Sequence, residues 1–278
     1  MSGGSGAATG KAALFAARDA PNPRRVLVAA AELGLEQAFE VRWIALSDTK
    51  SAAMLRRNPE GQVPVLETSS GLCISESVAI TRWLEETHNG SQPGGARPSL
   101  FGADADSRAL VEQWNRRVDI ALFMSGVGRV WLHNPLLAGL AAKNRLKQTQ
   151  AERQFGQSIA SRQFKILDAQ LKHTGAFLAG DSVSVADISL LCCLDFATGL
   201  AGVSLSGSSF PHLAAWRDRM AQRHAVRKHP NPYGAKFMPL RGADTVLSAA
   251  RRVSTALKGG ESDDPPVASA GEPATSQL

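Results

Sequence analysis

Hydrophobic and polar positions divide the chain into two regimes. Up to residue 88, short apolar runs alternate with helical spacings; from about residue 104 the spacing is helical throughout. Ala13-Leu14-Phe15-Ala16-Ala17 is an apolar run of strand length, broken by Arg18-Asp19-Ala20-Pro21-Asn22-Pro23. A helix is predicted from near Pro23, since proline suits a first helical turn. Val26, Leu27, Ala30 and Leu33 lie on its buried face, and Gly34 ends it in a left-handed cap. Phe39, Val41, Trp43 and Ala45 then alternate with polar Glu40 and Arg42, predicting a strand with those four on one face. A short helical piece follows at Ala52–Arg57.

The next stretch organises the rest. Asn58-Pro59-Glu60-Gly61 is a turn, because proline fixes φ and glycine permits a sharp reversal. Val65 and Leu66 begin a buried strand, with Pro64 at its entrance, where a missing N–H is tolerated. Proline there is a candidate cis peptide, which would turn the preceding N–H and C=O toward a ligand. Ser69-Ser70-Gly71 makes another turn, Leu72 to Ile74 return as a strand, and Ser75 is the expected cap of a helix running from Glu76 to His88. Glu76 and Ser77 thereby fall in a first turn, where orphan N–H groups and the helix dipole favour an anion.

In the second regime, Ala109, Leu110, Trp114, Val118, Ala121 and Leu122 trace the stripe of one long helix, and Val130, Trp131, Leu136, Leu137 and Leu140 continue beyond a break. A helix is predicted at 151–172 with Phe155, Ile159, Phe164, Ile166, Leu167 and Leu171 as its apolar set. Ser184 and Asp187 have the spacing of a capping box, Val183 and Ile188 that of a hydrophobic staple. The run from Ile188 to Leu194 is apolar almost all round, as in a central core helix. Leu213, Trp216 and Met220 suit one further packed helix. The expected organisation is a disordered lead-in at 1–12, a mixed α/β domain at 13–88, a Gly/Pro-rich linker at 89–103, an all-helical domain at 104–240 and a disordered tail at 241–278.

At 278 residues, 44% hydrophobic and 20% charged, the chain can bury one large or two modest cores and reads as a globular protein. Lys and Arg number 31 against 25 Asp and Glu, a formal net charge of +6. No Lys/Arg run with interleaved aromatics accompanies that charge, so no nucleic-acid partner is expected; an anionic ligand is favoured. Cys73, Cys192 and Cys193 form neither a C-x-x-C pair nor a metal-ligand spacing, and the six histidines show none. Neither a metal nor a disulfide framework is expected, which fits a reducing compartment. No apolar run reaches membrane length, and Met1-Ser2-Gly3-Gly4-Ser5-Gly6 lacks the apolar core of a signal peptide. A cytoplasmic location follows as the expectation.

Val63-Pro64-Val65-Leu66, a hairpin, then Glu76-Ser77-Val78-Ala79-Ile80 resembles the glutathione-binding half of the soluble glutathione S-transferases. The Ser184-x-x-Asp187 box resembles the one in the middle of their helical domain. The resemblance covers about residues 13 to 230. It implies a thioredoxin-like α/β domain followed by an all-α helical bundle, a homodimer, and glutathione as co-substrate with a hydrophobic electrophile. Glutathione would be bound by Gln62, Val63, Pro64, Glu76 and Ser77, with the Val63 backbone on its cysteinyl unit and the Glu76-Ser77 pair on the γ-glutamyl carboxylate and amine.

Such a site must make a thiolate. A free thiol has a pKa of about 8.5, which a hydrogen-bond donor and a helix N-terminus lower. In the family the donor is a Tyr, Ser, Thr, Cys or Asn just after the first strand. Here the one tyrosine is Tyr233, and no Ser, Thr or Cys occurs between Lys11 and Gly34. Ala20-Pro21-Asn22-Pro23-Arg24-Arg25-Val26 resembles the Ser/Thr-Pro-Asn-x-x-Lys/Arg-Val turn of several bacterial and fungal transferases, with Ala20 in place of the hydroxyl residue. Asn22 is the implied catalytic residue, aided by the helix N-terminus and Arg24; the plainer reading makes Asn22 a helix cap. Cys73, Cys192 and Cys193 are expected to be core residues. Asp195 is expected in an intrahelical or surface role, with the cleft as its alternative. Arg116, Arg117 and Met124 either border the second-substrate pocket or face a subunit or solvent.

Three functions share this reading. The first is a detoxification enzyme of the transferase type, in which the glutathione thiolate attacks an electrophilic small molecule. The second is a glutathione-dependent disulfide or peroxide reductase using the same site. The third is a non-catalytic assembly module. The intact binding pair favours an enzyme, and Ala20 favours the module.

Overall fold

The first apolar run forms β1 (Ala12–Ala16), and all five of its residues are buried. A computed structural model describes residues 11–18, 20–88, 99–143, 145–203 and 209–233. Residues 1–10 of the expected lead-in, 89–98 of the expected linker and the whole of the expected tail at 241–278 lie outside the described residues. β1 enters α1 (Pro21–Glu32), which returns the chain to β2 (Phe39–Trp43), parallel to β1. After α2 (Ala52–Arg57), β3 (Val65–Glu67) runs antiparallel to β1, and β4 (Cys73–Ser75) antiparallel to β3. The sheet order is β2-β1-β3-β4, and α3 (Ser77–His88) follows.

Side-chain alternation divides this sheet between two cores. Ala12, Leu14 and Leu66 face a large core shared with Val26 and Ala30 of α1 and Ile80 and Leu84 of α3. Ala13, Phe15, Ala17 and Val65 face a smaller one closed by Met54 of α2. Trp43 departs from its predicted face: it is 41% exposed, and the Arg18 guanidinium lies 4.3 Å above its ring. β2 is an edge strand, and the alternation of its residues alone does not reveal that its last turn of pleat is uncovered.

The helical half begins with α4 (Ala105–Arg116), which runs without interruption through a π-helical segment, Arg117–Val127, into α5 (Gly128–Leu132). The predicted break between Leu122 and Val130 is therefore a change of helical pitch. Its core side carries Val111, Trp114, Val118, Leu122 and Val130, while Leu110 of the predicted stripe is exposed. α6 (Ala138–Lys143) and α7 (Gln150–Thr174) follow. Phe155 and Ile166 of α7, expected in its apolar set, are exposed, and Gly156 and Ala160 make the contact instead. A Cβ on Gly156 would stand 2.9 Å from the Gly126 carbonyl oxygen, so small residues set this crossing and large ones are excluded.

α8 (Val185–Phe196) is buried along its whole length, and α9 (Pro211–Gln222) and α10 (His224–Lys228) follow it. Its capping box forms as predicted. Asp187 accepts four hydrogen bonds: Ser184 N at 3.0 Å and Ser184 Oγ at 2.7 Å, Leu178 N at 3.0 Å, and Trp216 Nε1 at 2.9 Å. Burial pushes the Asp187 carboxyl pKa up, and these bonds act against it. Ser184→Ala removes one of the four and the serine's part of the cap, and is expected to cost about 1 kcal/mol. A denaturation midpoint equal to wild type would show that the box contributes nothing.

Candidate functional site

The strand register brings the distant motifs together. Phe15 of β1 pairs with Val65 of β3, and Val65 pairs with Ser75 of β4. Because β3 is antiparallel to both neighbours, this row joins the end of β1, the start of β3 and the end of β4. The β1–α1 turn with Asn22, the Gln62-Val63-Pro64 entry to β3 and the Glu76-Ser77 step into α3 all leave the sheet at that one end. α1 and α3, each 12 residues long, also begin there, so two positive dipole ends face the same region.

The Val63–Pro64 peptide bond is cis, as the sequence suggests. Val63 is buried, and it lies beyond the last ladder pair of β3 on both sides. Its backbone polar groups are therefore outside the ladder that occupies those of β3. Gln62 is exposed beside it, and its carbonyl accepts from Asn58 Nδ2 at 3.0 Å, which ties the Asn58 turn to the strand entry.

The step into α3 differs from expectation. Ser75 is the last residue of β4 and does not cap the helix. Glu76 takes the cap position, its carbonyl accepting the Ile80 N–H at 2.9 Å. Its φ of 71° is left-handed, which costs a non-glycine residue about 1–3 kcal/mol and concentrates at functional sites. Ser77 opens the helix and is buried, whereas the Glu76 side chain is exposed.

At the β1–α1 turn, Ala20 is the cap residue and makes no side-chain capping bond. Asn22 is the second residue of the helix, so the reading of Asn22 as its cap is corrected. Four N–H positions at a helix start lack an intrahelical acceptor. Here Ala20 N bonds Ala17 O at 3.3 Å, and Pro21 and Pro23 have no N–H. The Asn22 N–H is left as the first-turn donor without a partner inside the helix, next to its own side-chain amide. Asn22 Oδ1 is buried and has no hydrogen-bond partner among the described residues.

The glutathione S-transferase N-terminal domain family matches residues 20–87, and the glutathione S-transferase C-terminal domain family matches residues 136–224. Glutathione S-transferase 2 of Saccharomyces cerevisiae is 30% identical over 211 residues, covering 75% of this chain and 84% of that protein. The chain belongs to the glutathione S-transferase family. GstB of Escherichia coli K12, also named a glutathione S-transferase, is 29% identical over 218 residues, covering 77% of this chain and 95% of that one. The crystal structure of Gtt2 from S. cerevisiae superposes with a TM-score of 0.68 at 27% identity, covering 78% of this chain and all of that one (100%). The fold is thus the family's thioredoxin-like domain followed by a helical domain.

Within that frame, several sequence expectations need correction. Arg24 does not help at the Asn22 turn. It is buried, pairs with Asp195 of α8 (Nη1 to Oδ2, 2.8 Å), and donates through Nε to the His229 carbonyl at 2.8 Å. Asp195 is accordingly neither intrahelical nor at the surface nor in a cleft: it is buried between Arg24 and Arg217 of α9. Burial raises its pKa, against the pull of Arg217 and Arg24. An acid directly after the mostly apolar run Ile188–Leu194 was the signal for such a network; its partners, far away in sequence, left none. Arg25 is the other missed residue. It is buried beneath the π-helical segment, pairs with Asp119 at 2.6 Å, and stands 5.5 Å above the Phe123 ring.

Cys192 and Cys193 are buried, and burial raises both thiol pKa values, so neither is a ready nucleophile. Cys73 is half-buried, with its pKa also raised by burial. Arg116 pairs with Glu112 on the surface, and Arg117 lies 4.5 Å over the Trp114 ring. Met124 is 67% exposed on the π-helical segment. Among the described residues, no group of three or more His, Cys, Asp or Glu could hold a metal ion, and no helix is long and apolar enough to cross a membrane.

Proposed function

We propose that this protein is a glutathione S-transferase that binds glutathione at the shared end of β1, β3 and β4 and activates its thiol. The observation that carries the reading is the Phe15–Val65–Ser75 row, which gathers the Asn22, Val63-Pro64 and Glu76-Ser77 motifs at one sheet end with two helix N-termini. In this reading the extended cysteinyl unit pairs with the Val63 backbone, in the manner of a short added strand. Gln62 borders that unit, and Pro64 shapes the backbone beneath it. Glu76 takes the γ-glutamyl amine, and Ser77 with the α3 terminus takes the carboxylate. Asn22 stands at the sulfur, where its side-chain amide and backbone N–H stabilise the thiolate. That sulfur then bonds to an electrophilic carbon, and the leaving group departs with the electron pair of the broken bond.

Capture on immobilised glutathione with elution by free glutathione is expected, followed by conjugation of chlorodinitrobenzene at a rate that scales with enzyme. Capture with reduction of a model disulfide or hydroperoxide, and no conjugation, would move the assignment to the reductase. Capture without any turnover would select the non-catalytic module, the reading that Ala20 favours; failure of capture removes all three. The same family reading implies a homodimer, a cytoplasmic location and two domains divided near residues 89–103. Light scattering at micromolar concentration is expected to give twice the mass of the chain, and a monomer mass would contradict the dimer.

A further inference from the structure

Arg25 is only 5% exposed, and only part of its guanidinium is used. Nη1 donates to Asp119 Oδ1 at 2.6 Å, whereas Nε and Nη2 are buried with no hydrogen-bond partner among the described residues. Two buried guanidinium donors without an acceptor are costly, since each forfeits its hydration without replacement. One turn earlier on the same helix, Asn22 Oδ1 is a buried acceptor without a partner. Residues three apart on a helix are surface neighbours. Helical side chains also lean toward the N-terminus, so a residue covers the turn before its own. The turn that carries Asn22 is therefore within the span of a long side chain at Arg25. Asp119 and the Phe123 ring hold the guanidinium from the helical half of the molecule.

We propose that Arg25 is a positioning residue whose unused guanidinium donors serve Asn22 Oδ1 through one water molecule, and so turn the Asn22 amide nitrogen toward the thiol. An amide has one acceptor end and one donor end. Holding the oxygen against that donor leaves the NH₂ as the end presented to the ligand, which is the end a thiolate requires. Asp119 thereby couples the helical half to the activating turn: it anchors Arg25, and Arg25 sets the amide. The inference rests on the proposed role of Asn22 as the thiol-activating donor.

The test is a double-mutant cycle on the thiolate of bound glutathione, read by its ultraviolet absorbance against pH at saturating glutathione. Arg25→Met is expected to lower the thiolate fraction at neutral pH by about three- to tenfold, the range for one lost hydrogen bond, with little change in glutathione affinity. In an Asn22→Ala background the same substitution should change nothing further, because Arg25 acts through that amide. Arg25→Lys keeps a charge for Asp119 but lacks the guanidinium fork, and should match Arg25→Met in the titration; it serves if Arg25→Met does not fold. A merely structural role would lower the melting temperature and leave the thiolate titration in place. An unchanged titration in both Arg25 variants, or an equal loss with and without Asn22, overturns the inference while leaving Asn22 as the donor. An unchanged titration in Asn22→Ala itself removes the donor role, and the inference with it.

Discussion

Asp195→Ala is expected to destabilise the protein by about 3–5 kcal/mol, the cost of removing one partner from a buried ion network. Asp195 lies near the end of a helix that is buried along its whole length, and is 2% exposed. Its two carboxylate oxygens are divided between Arg24 of α1 and Arg217 of α9. Alanine would leave two buried guanidiniums without this carboxylate. Arg24→Met should cost less, because Asp195 would retain Arg217. The network joins the helix that carries Asn22 to the helical half, so the loss is expected as a single cooperative shift in a urea melt. A fall of about 1 kcal/mol or less in Asp195→Ala would mean that the cluster is solvated and behaves as a surface pair.

What could be read in advance was what is local. The β1 run, α2 over Ala52–Arg57, the cis Val63–Pro64 bond, the left-handed Gly34 and the Ser184–Asp187 box all depend on residues within a few positions of one another. Periodicity failed where the contact was made by small residues or by none. Gly126 and Gly156 set a close helix crossing that leaves Phe155 in solvent, and Trp43 sits at an uncovered sheet edge. It failed again where the partner was remote: Arg24 and Asp195 are 171 positions apart, Arg25 and Asp119 are 94 apart. Of the candidate site, the motifs were legible, but the register that unites them was not. Nor was the left-handed Glu76, since nothing in Ser75-Glu76-Ser77 distinguishes a strand end and a strained step from a simple serine cap.

Ser77 and Asn22 should fail in different ways, because the proposed site places them at opposite ends of glutathione. Ser77 opens α3 and is buried, and the proposed site puts it at the γ-glutamyl end. Loss of one hydrogen bond to a charged group is worth about 1.5–3 kcal/mol, so Ser77→Ala should weaken glutathione binding about ten- to a hundredfold. The pKa of the bound thiol should hardly move. Asn22→Ala should do the reverse, keeping affinity nearly intact and raising that pKa. Isothermal titration calorimetry gives the first quantity and absorbance titration the second. Equal effects of both substitutions on both quantities would mean that the two residues are not separated along the ligand.

The most direct measurement is the thiolate absorbance of glutathione bound to the wild-type protein, followed across pH at saturating ligand. Activation at the Asn22 turn predicts a midpoint at least about one pH unit below the free thiol's value of about 8.5, moving back toward that value in Asn22→Ala. A bound thiol that titrates where free glutathione does would contradict thiol activation, even if the protein is retained on immobilised glutathione.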